Sequence, residues 1–378
     1  MKDNFLLGGH VVSLLAVVLL LLSCDNDMNT NPPRDTTYSI TCNVVSPVMR
    51  SMIENDSLLQ VACTDGRHAI GLWSAYELDG IVKQNVLGND YGDVSLIYNP
   101  NTEWDNYQGW SYGDTAAHWV MGAKYTFNAY YPQHAVAEIT TSDISTFVID
   151  YNTELYQEDL MLAYSYVDTN LPTFKFGVPV TLNMLHTLSA LRFRFSFIDS
   201  DGTTFDDSDA LTAFWLENTA YDRGVATTGM LAFGTRDENG VLDGEHIHWY
   251  YEDYPAPSTS TKPRPIYAWE DKNGVIFKST STSRTIATAY TTNADGTQKY
   301  ASNNGYIMLI PQEIDETVLM CFRLKSTGDL VHRVSLPQKK FESGLRYTYD
   351  IRMGRTNVDV TLSIAEWNEL KSSQDVSL

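Results

Sequence analysis

The chain has 378 residues and a net charge of −21 spread along its length with no basic cluster, which argues against nucleic acid as a partner and fits solubility at high local density. That length exceeds a single core and points to two domains. Four cysteines, one of them Cys24, leave Cys42, Cys63 and Cys321, an odd remainder that closes no disulfide framework.

Taken in chain order, the first feature is a secretory signal. Lys2, the apolar run Val11–Leu22 and Ser23 supply its basic start, its core and its small residue at the cut. The order Leu21-Leu22-Ser23-Cys24 resembles a bacterial lipobox, in which the cysteine sulfur is diacylated, the chain is cut before it and the freed amine is acylated. Acyl chains then hold Cys24 on a membrane at roughly 0.8 kcal/mol per buried CH₂. A transmembrane anchor would need about 20 apolar residues, and Gly8, Gly9 and His10 interrupt the run. Residues 1–23 therefore read as the signal and 24–37 as a flexible tether, polar and proline-containing. Asp25 and Asp27 behind the lipid site fit either retention in an inner membrane or export to the cell surface.

Beyond the tether, period-2 alternation dominates. YSITCNV (38–44), KYTFNAYYP (124–132), ALRFRFSFI (190–198), GYIMLIP (305–311), TVLMCFRL (317–324), YTYDIRM (347–353) and VDVTLSI (358–364) are bounded by Gly, Pro, Asn and Asp. The pattern predicts antiparallel strands with one face in a core, hence an all-β protein built of sandwiches. Cys42 alternates with Ile40 and Val44 and reads as a small buried hydrophobe. Segments 199–209, 237–244 and 253–267 read as loops. Two prolines and a glycine between alternating runs at 168–179 place a domain boundary there, giving an N-terminal domain over 38–170 and a C-terminal domain over 171–378.

Chemistry-bearing motifs are few. His246-x-His248 has the spacing of two metal ligands on one strand face, but no third ligand can be named. Asp199-x-Asp201-Gly202 resembles the start of a calcium loop, and Ala210 stands where a bidentate Glu belongs. No nucleophile, phosphate-loop or hydrolase signature occurs, so the expectation is no enzyme, no catalytic residue, no metal and no cofactor. Two aromatic groups, with Trp104, Tyr107 and Trp110 in one and Trp249 in the other, offer flat rings that would stack on glycans or a host surface protein, or else pack beneath long loops.

With these elements placed, the chain resembles the fimbrillin superfamily, the lipoprotein subunits of type V pili, and especially its Mfa-like branch. The matching phrases run in order: HAIGLWSA (68–75), NAYYP (128–132), DLMLAYS (159–165), VTLNMLHTLSALRFRF (180–195), LIPQ (309–312), GLRYTYDI (344–351) and VDVTLSIAEWNE (358–369). The chain departs from the family pattern at His68-Ala69, where Gly-Asp is usual, and at Met184-Leu185, where an aromatic precedes the histidine matched by His186.

The resemblance implies two tandem β-sandwich domains of transthyretin-like form, and a fimbrial subunit at stalk, tip or accessory position on the outer membrane and cell surface. It also implies a first strand removed outside the cell by an arginine-specific protease. In this chain that strand is 38–44, with Arg50 as the cleavage residue and Ser51 as the new N-terminus; Arg34 is a second candidate. Partners would be other pilin subunits joined by strand addition, together with the membrane through the lipid at Cys24. Val358, Val360, Leu362 and Ile364 form the alternating series for a donor strand, or else the last strand of the chain's own C-terminal domain.

Overall fold

The computed structural model describes residues 39–46, 56–64, 68–87, 94–104, 107–112, 117–135, 139–141, 147–197, 210–219, 224–234, 247–253, 264–270, 277–278, 284–285, 290–292, 298–300, 306–314, 316–337, 340–354 and 358–366. Each alternating run named above contains a strand among its described residues. In chain order the elements are β1 (Cys42–Val45), α1 (Asp56–Ala62), β2 (Ile70–Leu78), β3 (Ile81–Gln84), β4 (Val94–Trp104), β5 (Tyr107–Tyr112), β6 (Lys124–Tyr131), β7 (Ile139–Thr141), β8 (Phe147–Asn152), β9 (Met161–Asp168), β10 (Val180–Asn183), β11 (Leu185–His186) and β12 (Ser189–Phe197). They continue with β13 (Ala210–Asn218), β14 (Thr228–Phe233), β15 (His248–Asp253), β16 (Arg264–Glu270), the short β17 (Phe277–Lys278), β18 (Arg284–Thr285), β19 (Tyr290–Thr292) and β20 (Gln298–Tyr300), then β21 (Tyr306–Leu309), β22 (Val318–Leu324), β23 (His332–Ser335), β24 (Leu345–Met353) and β25 (Val358–Glu366). The fold is all-β, as the alternation predicts.

One layer pair shows how sequence makes the sandwich. In β12, Phe193, Phe195 and Phe197 point inward while Arg192, Arg194 and Ser196 stay half-exposed, as a pleated strand with one wet face requires. The β18-β12-β24-β25 sheet places Phe193 against Phe214 of the β16-β13-β22-β23 sheet at 4.7 Å between ring centroids. Phe195, Phe322, Tyr347 and Tyr349 fill the same core, each large apolar side chain contributing roughly 1.5–3 kcal/mol by leaving water. On the outer face Arg192 lies 4.7 Å over the Tyr306 ring, and Arg194 meets Asp350 at 3.4 Å.

A second core lies under the sheet ordered β11-β9-β6-β2-β4-β5, with β3 added on β2. A third gathers residues from the sheet ordered β15-β14-β8-β7 and its neighbours. That sheet joins the two halves of the sequence, because β8 pairs with β14 along its whole length across the 168–179 segment. Gln157 reinforces the junction: its Oε1 accepts the Met308 N–H at 2.9 Å and its Nε2 donates to the Met308 carbonyl at 3.2 Å. The buried amide thus takes a backbone's place in the ladder.

Three expectations change. The alternation predicts antiparallel strands, yet β1 runs parallel to β10 and β12 parallel to β24. Alternation reports that one face is buried; direction is set by the connection, and both pairs have the long connection that parallel pairing needs. A two-turn helix, α1, interrupts what the alternation predicts to be a chain of strands, and it buries Leu59. Within the expected excursion at 253–267, Arg264–Tyr267 already belong to β16. Among the described residues no helix is long and apolar enough to cross a membrane.

Candidate functional site

The N-terminal strand sits in a slot and is held from both sides. On one flank Ser39 bridges His118, the Ile40 N–H donates to the Ala117 carbonyl at 2.7 Å, and Tyr112 Oη donates to the Ile40 carbonyl at 2.6 Å. On the other flank β1 pairs in parallel with β10 from Cys42↔Val180 to Val45↔Asn183. The Val180 N–H donates to Thr41 at 2.8 Å, and the Met184 N–H to Val45 at 2.9 Å.

Side chains alternate as the register demands. Ile40, Cys42 and Val44 are 0%, 1% and 3% exposed and share the second core with Leu59, Trp110, Tyr112, Trp119 and Leu182. Burial pushes the Cys42 thiol up to about 12, so it behaves as a packing group and not as a nucleophile. All three cysteines at 42, 63 and 321 are free and buried. Trp119 anchors the slot wall by packing edge-on to Tyr125 at 4.8 Å and to Phe174 at 5.2 Å. Beside β10, Trp119, Tyr166, Phe174, Lys175, Val178 and Val180 line an open depression of about 330 Å³, which extends the apolar surface toward solvent.

The other expected site residues scatter. Cys24, Arg50 and Ser51 lie outside the described residues. β25 is fully paired with β24, from Leu345↔Glu366 to Met353↔Val358. Val358, Val360 and Leu362 pack against the first core, whereas Ile364 is 51% exposed. β25 ends its sheet's strand order, so its outer edge carries no partner strand among the described residues.

Of the aromatic rings, Trp110 is withdrawn from the surface and Trp249 partly so. Trp110 is 4% exposed and packs edge-on to Tyr98 at 5.3 Å, which corrects its place among exposed ligand-stacking rings: its alternate position in β5 turns it into the core. Trp249 is half-buried and donates its indole N–H to the Thr187 carbonyl at 3.1 Å. Trp104 and Tyr107 are opposed in register on the β4–β5 pair. Sequence reasoning missed the residues that hold the first strand, Tyr112, Ala117 and His118 on one side and β10 on the other. A period of two marks which side chains are buried and carries no information about which strand lies next door.

A sequence profile described as fimbrillin-like matches residues 89–367. The chain belongs to the fimbrillin-like family. Its solved relatives include a fimbrial protein from Bacteroides vulgatus, 12% identical, covering 87% of this chain and 99% of its own with a TM-score of 0.50. A fimbrial assembly protein from Parabacteroides distasonis is 10% identical, covers 87% of this chain and 98% of its own, and has a TM-score of 0.37. No curated protein matches the chain. Membership in the fimbrillin-like family makes the chain a fimbrial subunit, which implies assembly with other pilin subunits in a fimbrium at the cell surface.

Proposed function

We propose that this fimbrillin-like chain is delivered as a lipoprotein acylated at Cys24, is cut after Arg50 by an arginine-specific protease, and assembles when another subunit's strand replaces residues 39–46. The observation that carries this reading is the slot itself, in which one short segment supplies Ile40, Cys42 and Val44 to the core and bonds on both flanks. Each larger apolar side chain is worth about 1.5–3 kcal/mol and each ladder bond roughly 1 kcal/mol net, against a typical domain stability of about 5–15 kcal/mol. Removing the segment exposes an apolar groove and unpaired backbone, a template for strand addition. Until then the segment blocks premature polymerisation.

β25 is read as the chain's own last strand, because its pairing with β24 is complete and three of its side chains reach the core. The subunit accordingly accepts a strand and does not offer β25 in return, which suits a tip or accessory position. The burial of Trp110 and the seat of Trp249 weigh against a glycan site built on those two rings. Treating the purified precursor with an arginine-specific protease tests the reading. N-terminal sequencing gives Ser51 and gels give oligomer ladders if it holds; an uncut or persistently monomeric chain refutes it, and Arg50→Ala should block both products.

A further inference from the structure

Three residues that no sequence spacing links meet at one end of the sheet ordered β9-β6-β2. β2 and β6 are antiparallel, as are β6 and β9, so the start of β2, the end of β6 and the start of β9 share an end. His68 lies just before β2, His134 in the turn after β6, and Glu158 just before β9. His134 Nε2 is 2.8 Å from Glu158 Oε1, and His68 Nδ1 is 3.7 Å from Glu158 Oε2. The two imidazoles pack edge-on with centroids 5.1 Å apart, and all three ligand atoms lie within 4.8 Å of one another.

The surrounding contacts fix the backbones that carry them. The Gln133 N–H donates to the Ala69 carbonyl at 2.9 Å, which locks the neighbours of His134 and His68 together. Tyr151 Oη donates to the Glu158 carbonyl at 3.0 Å. His68 Nδ1 is shielded from solvent, yet it has no hydrogen-bond partner and faces the carboxylate across a gap too wide for a hydrogen bond.

We propose that His68, His134 and Glu158 bind one divalent transition-metal ion, with zinc the best fit. Two imidazoles and a carboxylate favour zinc, copper(II) or nickel over calcium or magnesium. Bonds of about 2.0–2.2 Å in a tetrahedron set ligand atoms roughly 3.4 Å apart, so the separations of 2.8 Å and 3.7 Å bracket the requirement and side-chain rotation closes the difference. Three protein ligands leave a fourth position for water. The ion ties three neighbouring strand ends together, and in its absence His134 hydrogen-bonds Glu158 in its place. The side chains of His68, His134 and Glu158 are 42%, 39% and 26% exposed, so an ion can enter without unfolding the sheet.

Calorimetric titration of tag-free mature chain with zinc, alongside thermal melts, is the test. One zinc per chain is expected, with a rise in Tm that a chelator reverses and that calcium and magnesium do not reproduce. His68→Ala and His134→Ala should each weaken zinc binding more than about tenfold and abolish the Tm rise. Glu158→Gln, which still accepts a hydrogen bond from His134, should do the same while keeping the metal-free Tm, and His248→Ala, an exposed histidine elsewhere, should change nothing. The proposal falls if the wild-type chain binds no zinc, or if either His68→Ala or His134→Ala keeps wild-type affinity.

Discussion

Asp159 Oδ2 lies 2.7 Å from His186 Nδ1, with both side chains no more than 2% exposed, and this contact joins two phrases that are well separated in the sequence. Asp159 opens DLMLAYS and leads into β9, while His186 sits in β11, which pairs with β9. Removing one member of a buried pair strands the other in the core at a cost of about 3–5 kcal/mol. His186→Ala and Asp159→Ala should each lower stability by that order in urea unfolding, and the double variant by far less than their sum. Additive losses would show that the two do not act as a pair.

Gly71 stands opposite Tyr130 in the β2–β6 register. A Cβ at residue 71 would come within 2.1 Å of the Tyr130 ring, and that ring is 1% exposed in the third core. Gly71→Ala should therefore cost about 1–3 kcal/mol by overpacking, whereas Gly80→Ala tests a glycine with open space around it and only its positive φ to oppose the change. Pairing Gly71→Ala with Tyr130→Leu should recover part of the loss in thermal melts.

Cys42 reports on the strand in its slot. Burial moves its thiol from an ordinary 9.0 to about 12, so at pH 8 almost no thiolate exists in the seated strand, and the reagent has no access to it. Mass mapping after iodoacetamide should find residue 42 unmodified in the precursor and modified once the segment is released. The folded value lies above the released one, so the stabilising contribution of the neutral thiol is complete below about pH 9. It fades as pH rises from there toward 12, and labelling of intact precursor should accelerate across that window.

The last strand can be assigned by two substitutions. Leu362 packs on the first core and Ile364 is 51% exposed. Leu362→Ala should destabilise the isolated chain by about 1–2 kcal/mol and Ile364→Ala by less than about 0.5 kcal/mol. Equal and negligible effects would make β25 dispensable to its own fold and restore it as a donor.

The strands were legible because burial of one face writes itself into the sequence residue by residue. Ile40, Cys42 and Val44 follow that rule, as do Phe193, Phe195 and Phe197, and each run contains a strand. What stayed hidden depends on which strands become neighbours. The parallel pairing of β1 with β10 and of β12 with β24, the Gln157 clasp on Met308 and the meeting of His68, His134 and Glu158 all join residues distant in sequence. Trp110 illustrates a further limit: its ring reads equally as a stacking or a packing group until the strand register turns it inward.

The central claim is that residues 39–46 fill a place that a different strand can occupy. A chain beginning at Ser51, titrated with a synthetic peptide of residues 38–46 and with a control in which Ile40, Cys42 and Val44 are replaced by serine, measures this by thermal melting and light scattering. The account predicts a destabilised, self-associating chain that the native peptide returns to a stable monomer while the control peptide does not. A Ser51 chain as stable and monomeric as the precursor, indifferent to either peptide, would contradict it.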